Sequence, residues 1–336
     1  MKSFAKPCAM LLAVLGLSLA AAAEYEAMDL GGPAPAQAFD VSPSGRIVGS
    51  VTVAALARAV VWNRTGDAPL GLPLPSGTNW SRAFGINGDG QIVGQAQDRT
   101  VSPVQVFAVF WPGVNGSPVL LADGTVAVAV NSLGGIAGNL RTAGGSIHAA
   151  LWPDAATAPV DLGTLGGVSS SAAGLNSAAQ VVGQSRDLAG QSRATFWNGP
   201  AAPPIDLGAP AGAVRAAASG INDRGEIVGD FGTTLAERRA LYWPAPGAVP
   251  VELQTLGGVQ SQAVAVNERG WIVGWAATAA AEQHPCIWMS PTAAPLDLAS
   301  PVGSGGFARA ISARAQIVGD ETRSTGVRLI SWRRSP

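Results

Sequence analysis

The two histidines are the side chains best suited to metal binding or proton transfer, and both occupy the same position of an internal repeat. His148 lies ten residues after Gly138, and His284 lies ten residues after Gly274. If the repeats form a ring of seven, three repeats separate the two imidazoles. We therefore expect neither a shared metal site nor a catalytic pair, and we predict a structural role for each histidine.

The other reactive side chains form no recognisable catalytic motif. Cys8 and Cys286 are the only cysteines, which excludes zinc sites of the Cys-x-x-Cys kind. No Gly-x-Ser-x-Gly elbow and no phosphate-binding loop with a lysine is present. Asn87–Gly90 lacks the ligand spacing of a calcium loop, so we interpret it as a turn. The sequence thus predicts no catalytic residue, no metal site and no cofactor.

Four acidic residues, Asp98, Asp187, Asp230 and Glu237, fall in predicted loops on one face of the molecule. Solvation of those loops is their simplest role. A pair of carboxylates on that face could also serve a hydrolase or lyase acting on carbohydrate, and the sequence leaves this alternative open.

Two tryptophans outside the repeat pattern suggest a binding site on the same face. Trp80 is predicted in the loop entering one strand, and Trp275 just after another. Exposed indoles there could stack against a sugar, with Arg82 and Arg99 as polar partners. The alternative is local packing under long loops.

The elements that would position these side chains are seven copies of one unit. A glycine that ends a Val-Gly or Ala-Gly pair recurs every 44 to 46 residues, at Gly49, Gly94, Gly138, Gly183, Gly229, Gly274 and Gly319. Each is followed 13 to 17 residues later by a tryptophan: Trp62, Trp111, Trp152, Trp197, Trp243, Trp288 and Trp332. Together the seven units account for residues 24–336, which we expect to form a single domain.

Each unit shows four short strands, and in four units the first two strands are joined by an Asn-x-x-Gly turn. Four strands per repeat of about 45 residues are typical of a β-propeller, so we predict an all-β, seven-bladed propeller. A β-solenoid is the rival fold. The first strand carries alanine at one position in every copy, which suits a crowded strand beside the axis: Ala38, Ala83, Ala127, Ala172, Ala218, Ala263 and Ala308.

Residues 13 apart predict how neighbouring strands pair and how the ring closes. Constant spacing across a hairpin places two positions side by side on antiparallel strands. We expect the pairs His148–Asp161, Arg193–Asp206, Arg239–Glu252 and His284–Asp297. Arg328 has no such partner ahead of it, and the unmatched acidic strand is residues 27–31. We therefore predict that this strand completes blade 7, with Asp29 beside Arg328.

Composition and charge narrow the class of protein. Charged residues make up 13% of the 336-residue chain, and Gly (43) and Pro (24) are abundant, which favours short strands over helical bundles. The formal net charge of −1 gives no general electrostatic case for nucleic-acid binding. Residues 1–23 have the basic start, the apolar run and the Ala-Ala-Ala end of an export signal. We expect an extracellular or periplasmic protein with no membrane span after the signal.

The repeat unit resembles that of the bacterial extracellular HAF-repeat family. The segments 161–167, 170–176, 180–183 and 193–197 follow that family's order of a glycine-rich loop, a Ser-x-Ala-x-Gly strand, a Val-Val-Gly strand and a strand ending in Trp. The loops after Asp206 and Asp297 depart from it. The resemblance implies an exported propeller-like repeat protein and brings no catalytic residues. We therefore expect a binding or scaffold module for a protein or glycan.

Overall fold

The chain folds into a seven-bladed β-propeller, as predicted. The computed structural model describes residues 25–31, 35–299, 303–324 and 326–335. Within these residues all regular secondary structure is β-strand, and the strands form seven four-stranded antiparallel sheets. Neighbouring blades pack in chain order, and blade 7 packs against blade 1. The predicted export signal, residues 1–23, lies outside the described residues.

Each blade has an inner strand beside the axis, two middle strands and an outer strand. The inner strands of blades 1 to 7 are β2 (Ala36–Val41), β6 (Trp80–Ile86), β10 (Gly124–Val130), β14 (Gly166–Leu175), β18 (Arg215–Ile221), β22 (Gly257–Val266) and β26 (Gly303–Ile311). The second strands are β3 (Ile47–Val53), β7 (Ile92–Asp98), β11 (Ile136–Arg141), β15 (Val181–Asp187), β19 (Ile227–Gly232), β23 (Ile272–Thr278) and β27 (Ile317–Arg323). The third strands are β4 (Leu56–Trp62), β8 (Gln105–Trp111), β12 (Ile147–Trp152), β16 (Ser192–Trp197), β20 (Arg239–Trp243), β24 (Gln283–Trp288) and β28 (Gly326–Arg334). The outer strands of blades 1 to 6 are β5 (Leu70–Gly71), β9 (Val119–Leu120), β13 (Val160–Asp161), β17 (Ile205–Asp206), β21 (Val251–Glu252) and β25 (Leu296–Asp297).

The ring is closed by the first described strand, β1 (Tyr25–Asp29), which is the outer strand of blade 7. It runs antiparallel to β28, with Ala27 opposite Trp332. Just beyond β1 the Leu30 N–H donates to the Leu329 carbonyl at 2.9 Å, and the Leu30 side chain is fully buried. The predicted closure of blade 7 by residues 27–31 is confirmed.

Small residues on the inner strands let the blades approach the axis. All seven repeat alanines are buried, and each is followed by a bulge that increases the twist of its blade. Two residues after Ala83, a Cβ added to Gly85 would lie 2.9 Å from the Val128 carbonyl oxygen of blade 3. The inner strand is therefore as crowded as its composition predicts.

The repeat tryptophans form the hydrophobic contacts between blades. Trp243 of blade 5 packs in one cluster with Val182 and Phe196 of blade 4, and its indole N–H donates to the Gly208 carbonyl at 3.0 Å. Trp62 of blade 1 packs in the same way against blade 7. All seven side chains are almost fully buried, so each tryptophan fixes its blade to the preceding one.

Turn asparagines join successive blades on the face where the inner and second strands are connected. The Asn176 Oδ1 accepts from two backbone N–H groups of its own turn, as expected of an Asx-turn, while its Nδ2 donates to the Asn222 carbonyl of the next blade. The same bond between blades repeats from Asn87 to Asn131, from Asn131 to Asn176, from Asn222 to Asn267 and from Asn267 to Ser312. Ser42 and Ser312 hold this position in blades 1 and 7, and their shorter side chains bond only within their own turns.

Two of these turns place alanine where the others have glycine. Ala179 and Ala315 have φ of 58° and 65°, in the left-handed region that Gly225 occupies at 78°. We expect Ala179→Gly to raise the free energy of unfolding by up to about 1 kcal/mol, because glycine adopts this φ without strain. The converse change, Gly225→Ala, should cost about 1 kcal/mol from backbone strain alone, since its new Cβ would meet nothing within 4 Å. Urea denaturation measures both, and a clear loss of stability in Ala179→Gly would contradict the strain.

Candidate functional site

The face that carries the loops between the second and third strands, and the loops entering the inner strands, is called the axial face below. Here the structure brings together Trp80, Arg82 and Arg99, as the sequence suggested, but not as an exposed aromatic surface. Trp80 is the first residue of β6 and is only 6% exposed. The guanidinium carbons of Arg82 and Arg99 lie 5.0 Å and 5.3 Å from its ring centroid. The indole is thus already covered by two cations, and the exposure on which the predicted stacking role of Trp80 rests is absent.

Trp275 is buried as well, at 3% exposure. The sequence placed it after the second strand of blade 6, whereas β23 continues through it to Thr278. Its indole N–H donates to Gln262 Oε1 at 3.2 Å, and its ring meets Phe307 of blade 7 edge to face. Trp275 therefore joins blades 6 and 7, and the hypothesis of a ligand stacked on it loses its basis.

Both histidines lie beside the acidic residue 13 positions ahead. His148 Nδ1 is 2.9 Å from Asp161, and His284 Nδ1 is 2.7 Å from Asp297. The structure also places Arg239 3.2 Å from Glu252. Each pair bridges the third and outer strands of one blade at the surface, where such contacts contribute at most about 1 kcal/mol.

Two of the proposed pairs do not form. Arg193 turns instead to Asp187, whose carboxylate oxygen lies 2.8 Å from Nε, because the hairpin between β15 and β16 brings the two side chains together. Asp206 instead accepts from the Gly208 N–H at 2.8 Å.

Asp29 lies opposite Ile330, two residues beyond Arg328, and no ion pair joins its carboxylate to that arginine within the described chain. It too accepts from the backbone N–H two residues ahead, that of Gly31, at 2.8 Å. This backbone bond recurs at Asp161 and Asp297. Where this repeat position holds an aspartate, the carboxylate therefore stabilises the turn after the outer strand, whether or not a cation faces it.

The four loop carboxylates are held by separate local contacts. A glycosidase needs a carboxylic acid with a raised pKa as proton donor. Hydrogen bonds instead lower the pKa of three of them, from the Thr100 hydroxyl to Asp98, from Arg193 to Asp187 and from the Thr233 hydroxyl to Glu237. The fourth, Asp230, is buried and 2.5 Å from Arg215. None of these arrangements favours the hydrolase or lyase alternative.

One cross-strand pair near the axial face differs in its residue types from blade to blade. In each blade the residue before the repeat alanine faces the residue after the repeat glycine. The seven pairs are Gln37–Ser50, Arg82–Gln95, Val126–Asn139, Ser171–Gln184, Ala217–Asp230, Gln262–Trp275 and Phe307–Asp320.

In blades 2, 3 and 5 the second-strand member of the pair bonds to the following blade. Gln95 donates to a backbone carbonyl of blade 3 at 2.9 Å, and Asn139 accepts a backbone N–H of blade 4 at 2.9 Å. Asp230 accepts from Gln262 of blade 6 at 3.0 Å. Among the residues described, the other blades lack this bond: Gln184 of blade 4 accepts from Ser192 of its own blade. Ser50 of blade 1 makes no side-chain bond to blade 2 within the described residues.

A cleft of about 560 Å³ opens between blades 7, 1 and 2, and is called the axial cleft below. Its polar lining consists of Gln37, Ser50, Thr52, Arg82, Arg309 and Asp320. Asp320 does not reach blade 1, because it accepts from the Arg309 Nε of its own blade at 2.7 Å. The volume of the axial cleft lies within the range of small-molecule sites, roughly 300–1,000 Å³.

The polar groups of the axial cleft are incompletely satisfied. The Arg82 Nε and the Gln37 Oε1 are both buried, and neither has a hydrogen-bond partner. Burial, together with the charge of Arg99, lowers the pKa of Arg82. Neither of these two arginines forms an ion pair in the part of the chain that the structure describes. The cleft therefore has an excess of positive charge, because only Arg309 is neutralised, by Asp320.

Of the residues that line the cleft, only Arg82 was singled out from the sequence. Ser50 could have been identified from the repeats, because it has the shortest side chain at a position otherwise occupied by Gln, Asn, Asp or Trp. Gln37 and Arg309 carry no such signal. They become neighbours only because the ring closes blade 7 onto blade 1.

Among the described residues, no group of three or more His, Cys, Asp or Glu side chains is arranged to hold a metal ion. None of the described segments forms a helix of the length and apolarity that crossing a bilayer requires.

Comparison with known proteins shows the fold and nothing finer. No family model and no curated protein matches the sequence. The β-propeller domain of the trilobed protease from Pyrococcus furiosus, which has an open Velcro topology, is similar with a TM-score of 0.59 and 10% identity over 89% of this chain and 94% of that one. YCF48 bound to D1 peptide is similar with a TM-score of 0.53 and 12% identity over 93% of this chain and 96% of that one. The GH74 xyloglucanase from Xanthomonas campestris is similar with a TM-score of 0.52 and 11% identity over 90% of this chain and 53% of that one.

Proposed function

We propose that this chain is an exported propeller that acts as a binding module and recognises its ligand at the axial cleft. Export is supported by the signal-like residues 1–23 and by the resemblance to the HAF-repeat family. An export signal cleaved before Glu24 would be visible as the N-terminal sequence of the protein recovered from outside the cytoplasm.

The observation that carries the binding role is the pair of buried polar atoms beside an open cleft. A buried donor or acceptor without a partner costs about 1–3 kcal/mol. Arg82 Nε and Gln37 Oε1 lie in two neighbouring blades that line one cleft. A ligand that pairs with both would recover this cost.

Val327 permits a test that leaves the core intact. It lies on the wall of the axial cleft and is 56% exposed, so Val327→Trp should narrow the cleft without unfolding the protein. On a glycan and metabolite array the native chain should bind at least one class of compound, and Val327→Trp should lose that signal while keeping its melting temperature. The control is Val259→Trp, since Val259 is an exposed valine on blade 6 that does not line the cleft. Binding that survives Val327→Trp would place the site elsewhere, and turnover of a bound glycan would show an enzyme.

A further inference from the structure

The chemistry of the axial cleft defines the class of ligand, and the argument rests on the proposed binding role. We infer that the cleft takes a hydroxylated carboxylate of the size of a single sugar acid, with Arg82 binding the carboxylate and Gln37 accepting from a hydroxyl group.

Charge selects an anion. Arg82 has no acidic partner, and Arg99 lies on the same Trp80 ring, so two cations share one small region. An arginine guanidinium presents a planar set of N–H donors that matches the two oxygens of a carboxylate. Because the Arg82 guanidinium packs over the buried Trp80 ring, it is held in place, which lowers the entropy lost on binding.

The acceptors of the cleft select against a dianion and in favour of hydroxyl groups. Gln37 Oε1 needs a donor, and the Asp320 carboxylate lines the same cavity. The dianion of a phosphate monoester would bring two negative charges against this carboxylate, and its phosphate group would offer no donor to Gln37. A carboxylate that also carries hydroxyl groups satisfies both sides, since its hydroxyls can donate to Gln37 and accept from the Ser50 and Thr52 hydroxyls.

One wall of the cleft is apolar and fits the C–H face of a sugar ring. Pro35, Ala36 and Val327 form it. A small linear carboxylate such as acetate would leave this wall and the Gln37 acceptor without contacts. The combination of one arginine, one unpaired acceptor and one apolar wall therefore favours a uronic acid over a simple carboxylate.

Calorimetric titration of the full-length protein with D-glucuronate and D-galacturonate tests the inference. We expect at least one of them to bind at least about tenfold more tightly than the matched neutral sugar, acetate or inorganic phosphate, and its binding to weaken as NaCl is raised. Oligogalacturonate, included beside the monomer, distinguishes a free sugar acid from one within a polysaccharide.

Variants separate the role of charge from that of folding. Arg82→Gln should reduce uronate affinity at least about tenfold, whereas Arg186→Gln, a blade 4 arginine without an acidic partner among the described residues, should leave it unchanged. If Arg82→Gln fails to fold, the exposed Val327 serves instead: Val327→Glu should weaken uronate binding, and Val327→Lys should not.

The outcomes distinguish this inference from the proposed function. A neutral sugar or phosphate that binds as tightly as the uronates, and is lost in Val327→Trp, would overturn the sugar acid and keep the binding cleft. Uronate binding that is indifferent to Arg82→Gln and to the charge at position 327 would overturn the inference. Absence of any ligand sensitive to Val327→Trp would overturn both.

Discussion

Truncation of Trp197 to alanine is expected to lower the free energy of unfolding by about 3–5 kcal/mol, the cost of removing a large and fully buried side chain. Trp197 of blade 4 is completely buried and packs in one cluster with Ala137, Ala149 and Leu162 of blade 3. These neighbours lie on hydrogen-bonded strands, and two of them are alanines with no rotamer to change. The cavity can therefore collapse little.

Urea denaturation with an unchanged m-value measures this loss. The control is Leu188→Ala, since Leu188 is 88% exposed and should cost less than about 0.5 kcal/mol. A loss below about 1 kcal/mol for Trp197→Ala would show that the tryptophan does not hold blade 4 to blade 3. A comparison with phenylalanine isolates the hydrogen bond: Trp243→Phe leaves the Gly208 carbonyl without its indole donor, whereas the Trp197 indole N–H has no partner to lose.

The repeat architecture could be predicted because its determinants are local and occur seven times. The glycine and tryptophan recur at nearly constant spacing, and the inner-strand alanine is present in every copy. Each of these residues makes its contacts within one blade or with a neighbouring blade. Asn176 and Asn222 illustrate a limit even here. The sequence predicts their turns, but their bonds to the following blade depend on how far the blades lie apart.

The candidate site could be predicted only in part, because it arises from differences between the copies. Arg82 and Arg99 were placed correctly beside Trp80, yet that indole is covered by the same arginines that were expected to assist it. The sequence also gave no reason to group Gln37 with Arg309. They are about 270 residues apart and meet only when blade 7 closes on blade 1.

The predicted pairs between a basic residue and the acidic residue 13 positions ahead show a second reason why spacing alone does not predict contacts. His148–Asp161 and Arg193–Asp206 have the same separation and the same register, but only the first pair forms. Asp187 lies on the neighbouring strand and competes for Arg193, whereas the corresponding position in blade 3 is the uncharged Thr142. Pairing at a surface is decided by all the charges within reach, of which a repeat pattern shows only one.

Removal of residues 1–31, and with them β1, is expected to lower stability by at least about 4 kcal/mol, because Leu30 and Tyr25 lose burial worth roughly 1.5–3 kcal/mol each and the ladder to β28 is lost. Blade 7 would keep three strands, and the exposed edge of β28 would promote association between molecules. Thermal unfolding and ultracentrifugation measure the two effects.

A circular permutation distinguishes whether closure of the ring requires β1 itself or requires β1 to precede the other strands in the chain. Tyr25 lies directly opposite Arg334, so a two-residue Asn-Gly turn can join Arg334 to residues 25–31 as a hairpin, in a chain that starts at residue 35. Blade 7 then has four consecutive strands, like the other six blades. Since the same pairs form and only the connection changes, we expect stability within about 1 kcal/mol of the native chain. If the permuted protein unfolds as readily as the truncated one, or if truncation leaves the melting temperature unchanged, then β1 does not close the ring as its register indicates.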